Sequence, residues 1–301
     1  MATVVAPIRI ALQNILVATD FSACAQTALN YASALTRRSG GTLFTVNVLP
    51  HMPFVESEQP DPEKIRGIAE QRMAKMAGSE RFQGIKHREF IRDGEIGEAL
   101  SALVRENHID LIVVGTEGRT GLRKFLLGSV AEEIFRTAEC PVLTLGPHVT
   151  MSGGILRNIL FATDFGPESL HGLPYALSLA EEHRAHLTLL HVATGTGVIL
   201  PEPQPGAMPA SDPYVEVATG EKRLRALIPA DAVLWHEPEY LVQFGPAADT
   251  ILRVAGEQTD MIILGVKRPA LLTKHLGGGV AYRIICEAPC PVLSVDAPQM
   301  H

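Results

Sequence analysis

The chain repeats itself, and a chain that repeats at domain length folds as copies of one unit. The segment Asn14-Ile-Leu-Val-Ala-Thr-Asp20-Phe returns as Asn158-Ile-Leu-Phe-Ala-Thr-Asp164-Phe. Asp110-Leu-Ile-Val-Val-Gly115 returns as Asp260-Met-Ile-Ile-Leu-Gly265, and Cys140-Pro-Val-Leu-Thr-Leu145 returns as Cys290-Pro-Val-Leu-Ser-Val295. Two homologous domains follow, 1–147 and 155–301, joined by a Gly- and Ser-containing linker over 148–154. A length of 301 residues suits two domains.

Within a repeat, short apolar runs alternate with amphipathic stretches. Ile15–Ala18, Thr42–Leu49, Lys86–Ile91, Leu111–Val114 and Val142–Leu145 read as strands, from their β-branched content and bounding Gly or Pro. Most are apolar almost throughout, as strands covered on both faces of a parallel sheet must be. Ala23–Arg38, Lys64–Ser79, Ile96–Asn107 and Ser129–Thr137 read as helices. The alternation predicts an α/β class with right-handed crossovers and a doubly wound open sheet in each repeat. Thr194 to Pro213 departs from the pattern: with Pro201, Pro203, Pro205, Pro209 and Pro213 it cannot be a regular helix and reads as a surface loop.

Composition narrows the function classes. The chain carries 26 Lys and Arg against 33 Asp and Glu, a net charge of −7, so it lacks the basic field of a duplex-binding protein. No stretch approaches the ~20 apolar residues of a membrane span. Met1 to Asn14 lacks a basic region followed by an apolar core and cleavage site, and reads as an uncleaved cytoplasmic start. Four cysteines without a CxxC pair are too few for a disulfide scaffold and read as small buried hydrophobes. The eleven histidines are scattered, and His87 and His236 read as surface residues.

In an open α/β sheet a ligand sits beyond the carboxyl ends of the strands, where the strand order reverses. In repeat 1 those ends are Ala18-Thr19-Asp20, Val48 and Gly115, and a long glycine-punctuated loop runs from Gly115 through Gly118, Arg119, Gly121, Arg123 and Lys124 to Gly128, Ser129 and Val130. Glycines let backbone N–H groups approach anionic oxygens, and the helix that follows presents unpaired N–H groups and a favourable dipole. Ser129 reads as the N-cap of that helix, with Glu132 completing a capping box. The same residues would equally make an ordinary surface loop and helix start. Other phosphate motifs are absent: there is no GxxxxGK[ST], no GxGxxG between strand and helix, no SGGxDS, no HxGH and no GxSxG.

At these residues the sequence resembles the universal stress protein family in its tandem form. Gly115, Gly118 and Gly128-Ser129 match the family's G-x2-G-x9-G-[ST] signature for ATP, and the Thr-Asp strand end and terminal Cys-Pro-Val-Leu are similar to that family too. The resemblance implies two adenine nucleotide alpha hydrolase-like domains, each a five-stranded parallel sheet of order 3-2-1-4-5, and ATP, with or without Mg2+, at the switch point between strands 1 and 4. It implies that Ala18, Thr19 and Asp20 lie near adenine and ribose, that Val48 lines the base pocket, and that Val114 and Gly115 sit under ribose and phosphates. Gly118, Arg119, Gly128, Ser129 and Val130 would hold the phosphates. Repeat 2 departs from the signature: Arg268 replaces Gly118, Gly279 replaces Ser129 and Tyr282 replaces Glu132. It reads as a weak nucleotide site or a structural partner. Pro141–Leu145 and Pro291–Val295 would pair within the chain as a pseudo-dimer, with a further homodimer left open.

Three function classes follow. One is a nucleotide-binding regulatory module with an unknown protein partner, the reading the intact signature favours. The second is a slow Mg-dependent ATPase, for which Asp20 and Glu117 are the nearest carboxylates, without a recognisable catalytic constellation. The third is a tandem scaffold without ligand. No nucleic acid or membrane partner is expected.

Overall fold

Strand β1 (Asn14–Ala18) has no hydrophilic face, and Ile15, Leu16 and Val17 are fully buried. Its only stable position is therefore between two other strands and under helices on both sides. The computed structural model describes residues 12–49, 61–116, 127–147, 149, 154–193, 212–256, 258–267 and 279–296. It divides into two compact units, Ala11–Gly154 and Ile155–Ala297.

In the first unit the chain runs β1, α1 (Ala23–Ser39), β2 (Thr42–Leu49), α2 (Pro62–Ala77), a 3-10 turn (Glu80–Phe82), β3 (Lys86–Asp93), α3 (Ile96–Asn107), β4 (Leu111–Gly115), α4 (Ser129–Thr137) and β5 (Val142–Leu145). All strand pairs are parallel and the order is β3-β2-β1-β4-β5. Ile15 pairs with Leu43 on one side and Leu111 on the other, so β1 is the strand at which the order reverses. Helix α1 is started by Ser22, whose hydroxyl accepts from the Ala25 N–H, and stopped by Gly40 in the left-handed region at φ 68°.

The second unit repeats the scheme with β6 (Asn158–Ala162), α5 (Pro167–Leu170), α6 (Leu173–His183), β7 (His186–Ala193), α7 (Pro213–Arg225), β8 (Glu239–Phe244), α8 (Ala247–Ala255), β9 (Met261–Gly265), α9 (Val280–Glu287) and β10 (Val292–Val295). Its order is β8-β7-β6-β9-β10, again parallel. Where α1 is continuous, this unit has two helices separated at His171 and Gly172. A Cβ at Gly172 would lie 3.0 Å from the Gly265 nitrogen, so the helical layer presses onto the sheet there. Pro213, the last proline of the expected loop, instead opens α7 at N1, where its missing N–H costs nothing. Residues 194–211 lie outside the described residues, as do 148 and 150–153 of the linker.

Two expectations need correction. His87 is not a surface residue: its side chain is 9 % exposed, stacks on Phe82 at 4.1 Å and shares a 2.9 Å hydrogen bond with the Thr45 hydroxyl. It faces inward because β3 alternates, placing His87 against β2 and the 3-10 turn. Of the four cysteines, none in a disulfide, Cys286 and Cys290 are buried, whereas Cys24 and Cys140 are half-buried. Among the described residues no helix is long and apolar enough to cross a membrane.

Candidate functional site

After β1 the chain makes a turn that consumes its own polar groups. The Thr19 N–H donates to the Val46 carbonyl at 2.9 Å, and the Thr19 hydroxyl accepts from the Phe21 N–H at 3.0 Å. Asp20 Oδ1 accepts from the Ser22 N–H at 2.9 Å. This wraps Phe21 into the left-handed region at φ 64°, an unfavourable conformation for a bulky side chain, held by the two flanking bonds. Asp20 is thereby a turn-forming residue at the lip of the sheet. From the neighbouring strand Asn47 Nδ2 donates to the Thr19 carbonyl at 2.7 Å, closing the gap between the ends of β1 and β2.

On the other side of β1, β4 ends at Gly115. A Cβ there would lie 2.9 Å from the backbone of Cys24 in the first turn of α1, so a glycine is required for packing whatever lies in front of it. The next residue ties the following loop: the Thr116 N–H donates to the Leu145 carbonyl at 3.0 Å, and the Thr116 carbonyl accepts from the Gly128 N–H at 2.7 Å. The chain thus returns within one hydrogen bond of where it left the sheet. Glu117, Gly118, Arg119, Gly121, Arg123 and Lys124 lie outside the described residues.

Helix α4 starts one residue earlier than the capping-box reading requires. Gly128 is the N-cap, extended at φ −63° and ψ 153°, and its carbonyl accepts from the Glu132 N–H at 2.8 Å. No side chain caps the helix. Ser129 is therefore at N1, and its hydroxyl, on an exposed residue, does not serve the helix. The N–H groups of Ser129, Val130 and Ala131 have no intrahelical acceptor, as in the first turn of any helix.

These segments enclose a cavity of about 270 Å³ at the carboxyl end of the sheet. Ala18, Thr19, Asp20, Val48, Val114, Gly115, Gly128, Ser129 and Val130 all line it, so the structure brings together every expected site residue that it describes. Sequence reasoning missed Asn47, Ser22, Ala25, Val46, Ile96 and Ala131 on the same wall. Asn47 carried a signal, being a buried amide in an apolar strand end; Ile96 carried none, since its place depends on how α3 crosses the sheet. The walls are mostly aliphatic, and Asp20 is the one ionisable group among the described lining residues. Among the described residues no cluster of His, Cys, Asp or Glu is arranged to hold a metal.

The corresponding turn of the second unit is differently furnished. Thr163 and Phe165 repeat the bond and the φ of 64°. The position of Asn47 is taken by His191, whose Nδ1 lies 2.9 Å from the Thr163 carbonyl and must therefore carry the proton. The His191 ring packs on Phe165 at 4.4 Å, and the Arg223 guanidinium lies over the same Phe165 ring at 3.8 Å. Burial pushes the Asp164 carboxyl up, but hydrogen bonds from Ser169 and the Gly166 N–H outweigh it and hold the group below its ordinary value. Gly265 remains although the signature is lost, because a Cβ there would fall 2.1 Å from the Glu168 carbonyl oxygen.

Residues 11–145 and 156–296 each match the sequence model of the Universal stress protein family. Universal stress protein MJ0531 of Methanocaldococcus jannaschii is 28% identical over 138 residues, 44% of this chain and 81% of that protein. The crystal structure of a universal stress protein from Archaeoglobus fulgidus superposes with a TM-score of 0.69 at 18% identity, covering 95% of this chain and 98% of that one. That of a functionally unknown protein from Pseudomonas aeruginosa PAO1 superposes with a TM-score of 0.56 at 15% identity, covering 97% and 95%. At these identities the superpositions speak for the fold alone.

Proposed function

Because the chain belongs to the universal stress protein family in both of its halves, we propose that its first unit is an ATP-binding regulatory module, with the nucleotide at the switch point between β1 and β4. The convergence of the ends of β1, β2 and β4 with the first turn of α4 on one cavity carries this reading. The donor set suits such a ligand. Ala18, Val46, Val48 and Ile96 offer an aliphatic slot for a base. The first-turn amides of α4 and the Ser129 hydroxyl offer donors to anionic oxygens.

In this reading Ala18, Thr19 and Asp20 border base and ribose, Val48 lines the base, and Val114 and Gly115 lie under ribose and phosphates. Gly118, Gly128, Ser129 and Val130 hold the phosphates, with Arg119 as counter-charge; a Mg2+ ion would be carried in by the phosphates. Binding is the function, and turnover is slow at most, since Asp20 is committed to its turn. Among its described residues the second unit furnishes the corresponding turn differently, with His191 and Arg223 both packed on Phe165.

The test is to purify the full chain without added nucleotide, denature it, identify released small molecules by mass spectrometry, and titrate the stripped protein with ATP. Released ATP or ADP, or saturable binding of one nucleotide per chain, is the expected result. A clean protein with no thermal shift in millimolar Mg-ATP would make the tandem scaffold the correct reading.

A further inference from the structure

Helix α7 turns a largely apolar stripe outward. Gly220 and Leu224 are buried, and a Cβ at Gly220 would lie 2.7 Å from the Val242 side chain, so that side of the helix rests on β8. The outward side carries Tyr214, Val215, Ala218, Thr219 and Lys222, which line one shallow groove. Tyr214 is 74 % exposed and Val215 60 %. The first unit treats the same place differently. Aligned on the Asp-Pro pairs that open the two helices, Asp61-Pro62 and Asp212-Pro213, α2 has Glu63 and Lys64 where α7 has Tyr214 and Val215. Apolar side chains gathered on one exposed helix face mark a contact surface. Among the described residues Lys222, which ends the stripe, has no ion-pair partner.

The stripe is complementary to itself. Tyr214, Ala218 and Lys222 follow at four-residue steps along one face of the helix. Reversed about Ala218, that face presents Lys222 opposite Tyr214. Two copies of α7 laid antiparallel therefore bring each ammonium to a tyrosine ring, a cation–π pair made twice by symmetry. Ala218 meets Ala218 at the axis, where a short side chain lets the helices approach closely, and Val215 and Thr219 flank the crossing. We propose that α7 is a self-association surface whose occupant is a second copy of this chain, docked antiparallel about a two-fold axis at Ala218. The proposal does not rest on nucleotide binding. One helix face is small beside the ~1,600 Å² of a standard interface, so the dimer is weak, with a Kd on the order of 10–100 µM.

Sedimentation equilibrium of the full chain, over concentrations spanning that value, tests the proposal. The wild type passes from monomer to dimer. Ala218→Glu sets two like charges against each other on the axis and weakens association about tenfold or more. Tyr214→Ala removes both cation–π pairs and weakens it about fivefold or more. A thermal melt identifies a variant that has not folded, and the other then carries the comparison. A short bismaleimide reads the axis itself: Ala218→Cys is linked to a second chain, whereas Gly67→Cys, the matching position of α2 with open space beside it, is linked no more than wild type. A wild type that stays monomeric throughout overturns the proposal. So does a dimer that neither folded variant weakens, or equal linking at 67 and 218; either would place the contact on another face.

Discussion

A Cβ on Gly115 would stand 2.9 Å from the backbone of Cys24: the last residue of β4 touches the first turn of α1. The first glycine of the loop signature is thus a packing residue before it is a binding residue. Gly265 is in the same relation to Glu168, at 2.1 Å. Its survival in a repeat that has lost the counterparts of Gly118 and Ser129 is no sign of a retained ligand.

Gly115→Ala accordingly destabilises the ligand-free protein by about 1–3 kcal/mol, the usual range for overpacking. Gly265→Ala costs more, because its Cβ would fall 2.1 Å from backbone where that of Gly115 would fall 2.9 Å. Urea unfolding of both variants without nucleotide checks the order. Equal and negligible losses would mean that α1 and α5 are free to retreat from the sheet.

The start of α4 separates capping from binding. Ser22 caps α1 through its hydroxyl, so Ser22→Ala costs ~1 kcal/mol of stability. Ser129 is at N1 and caps nothing, so Ser129→Ala leaves unfolding within ~0.5 kcal/mol of wild type while weakening ATP. Paired melts and titrations of the two variants read this directly.

Gly118→Arg installs the residue that the second repeat carries at 268. It is expected to abolish ATP binding by the first unit, because a side chain then stands where backbone should approach phosphate. Retained affinity in a titration would remove Gly118 from the site.

The buried His87 gives the first unit a dependence on pH. Burial lowers its pKa from the ordinary value near 6.5. The unfolded chain therefore takes up a proton on falling through 6.5 while the folded one does not, so stability is full above that pH and declines as the pH falls towards the folded pKa. Glu89, 3.7 Å away and raised by its own burial, acts in the opposite sense and nearer its ordinary value of 4.5. Urea midpoints at pH 7.5 and 5.5 should separate for wild type and converge for His87→Phe.

Thiol reactivity should divide the cysteines two and two. Burial pushes Cys286 up to about 11 and Cys290 up to about 12, so neither forms thiolate near neutrality. At pH 8 a chromogenic disulfide reagent is expected to modify at most Cys24 and Cys140 in the folded protein, and all four after unfolding. Fast modification of Cys290 without unfolding would contradict its place behind β9.

The sequence by itself determined the doubling of the fold, the strand and helix spans, and most of one wall of the cavity. Those features are written in local patterns: apolar runs such as Ile15–Val17 leave a strand no exposed face, and Thr19, Asp20, Gly115 and Gly128 each mark the place where a strand or loop ends. Only the tertiary structure decided what these residues do there. Gly128 rather than Ser129 caps α4 because the Thr116 carbonyl holds its N–H and fixes where the helix begins. Asn47 joins the cavity, and His87 leaves the surface, because parallel pairing sets β2 beside β1 and β3 beside β2 in particular registers. Gly115 faces Cys24 because the crossover lays α1 over β4. Such contacts link residues far apart in the chain, and no periodicity encodes them; they exist only once the crossovers have closed.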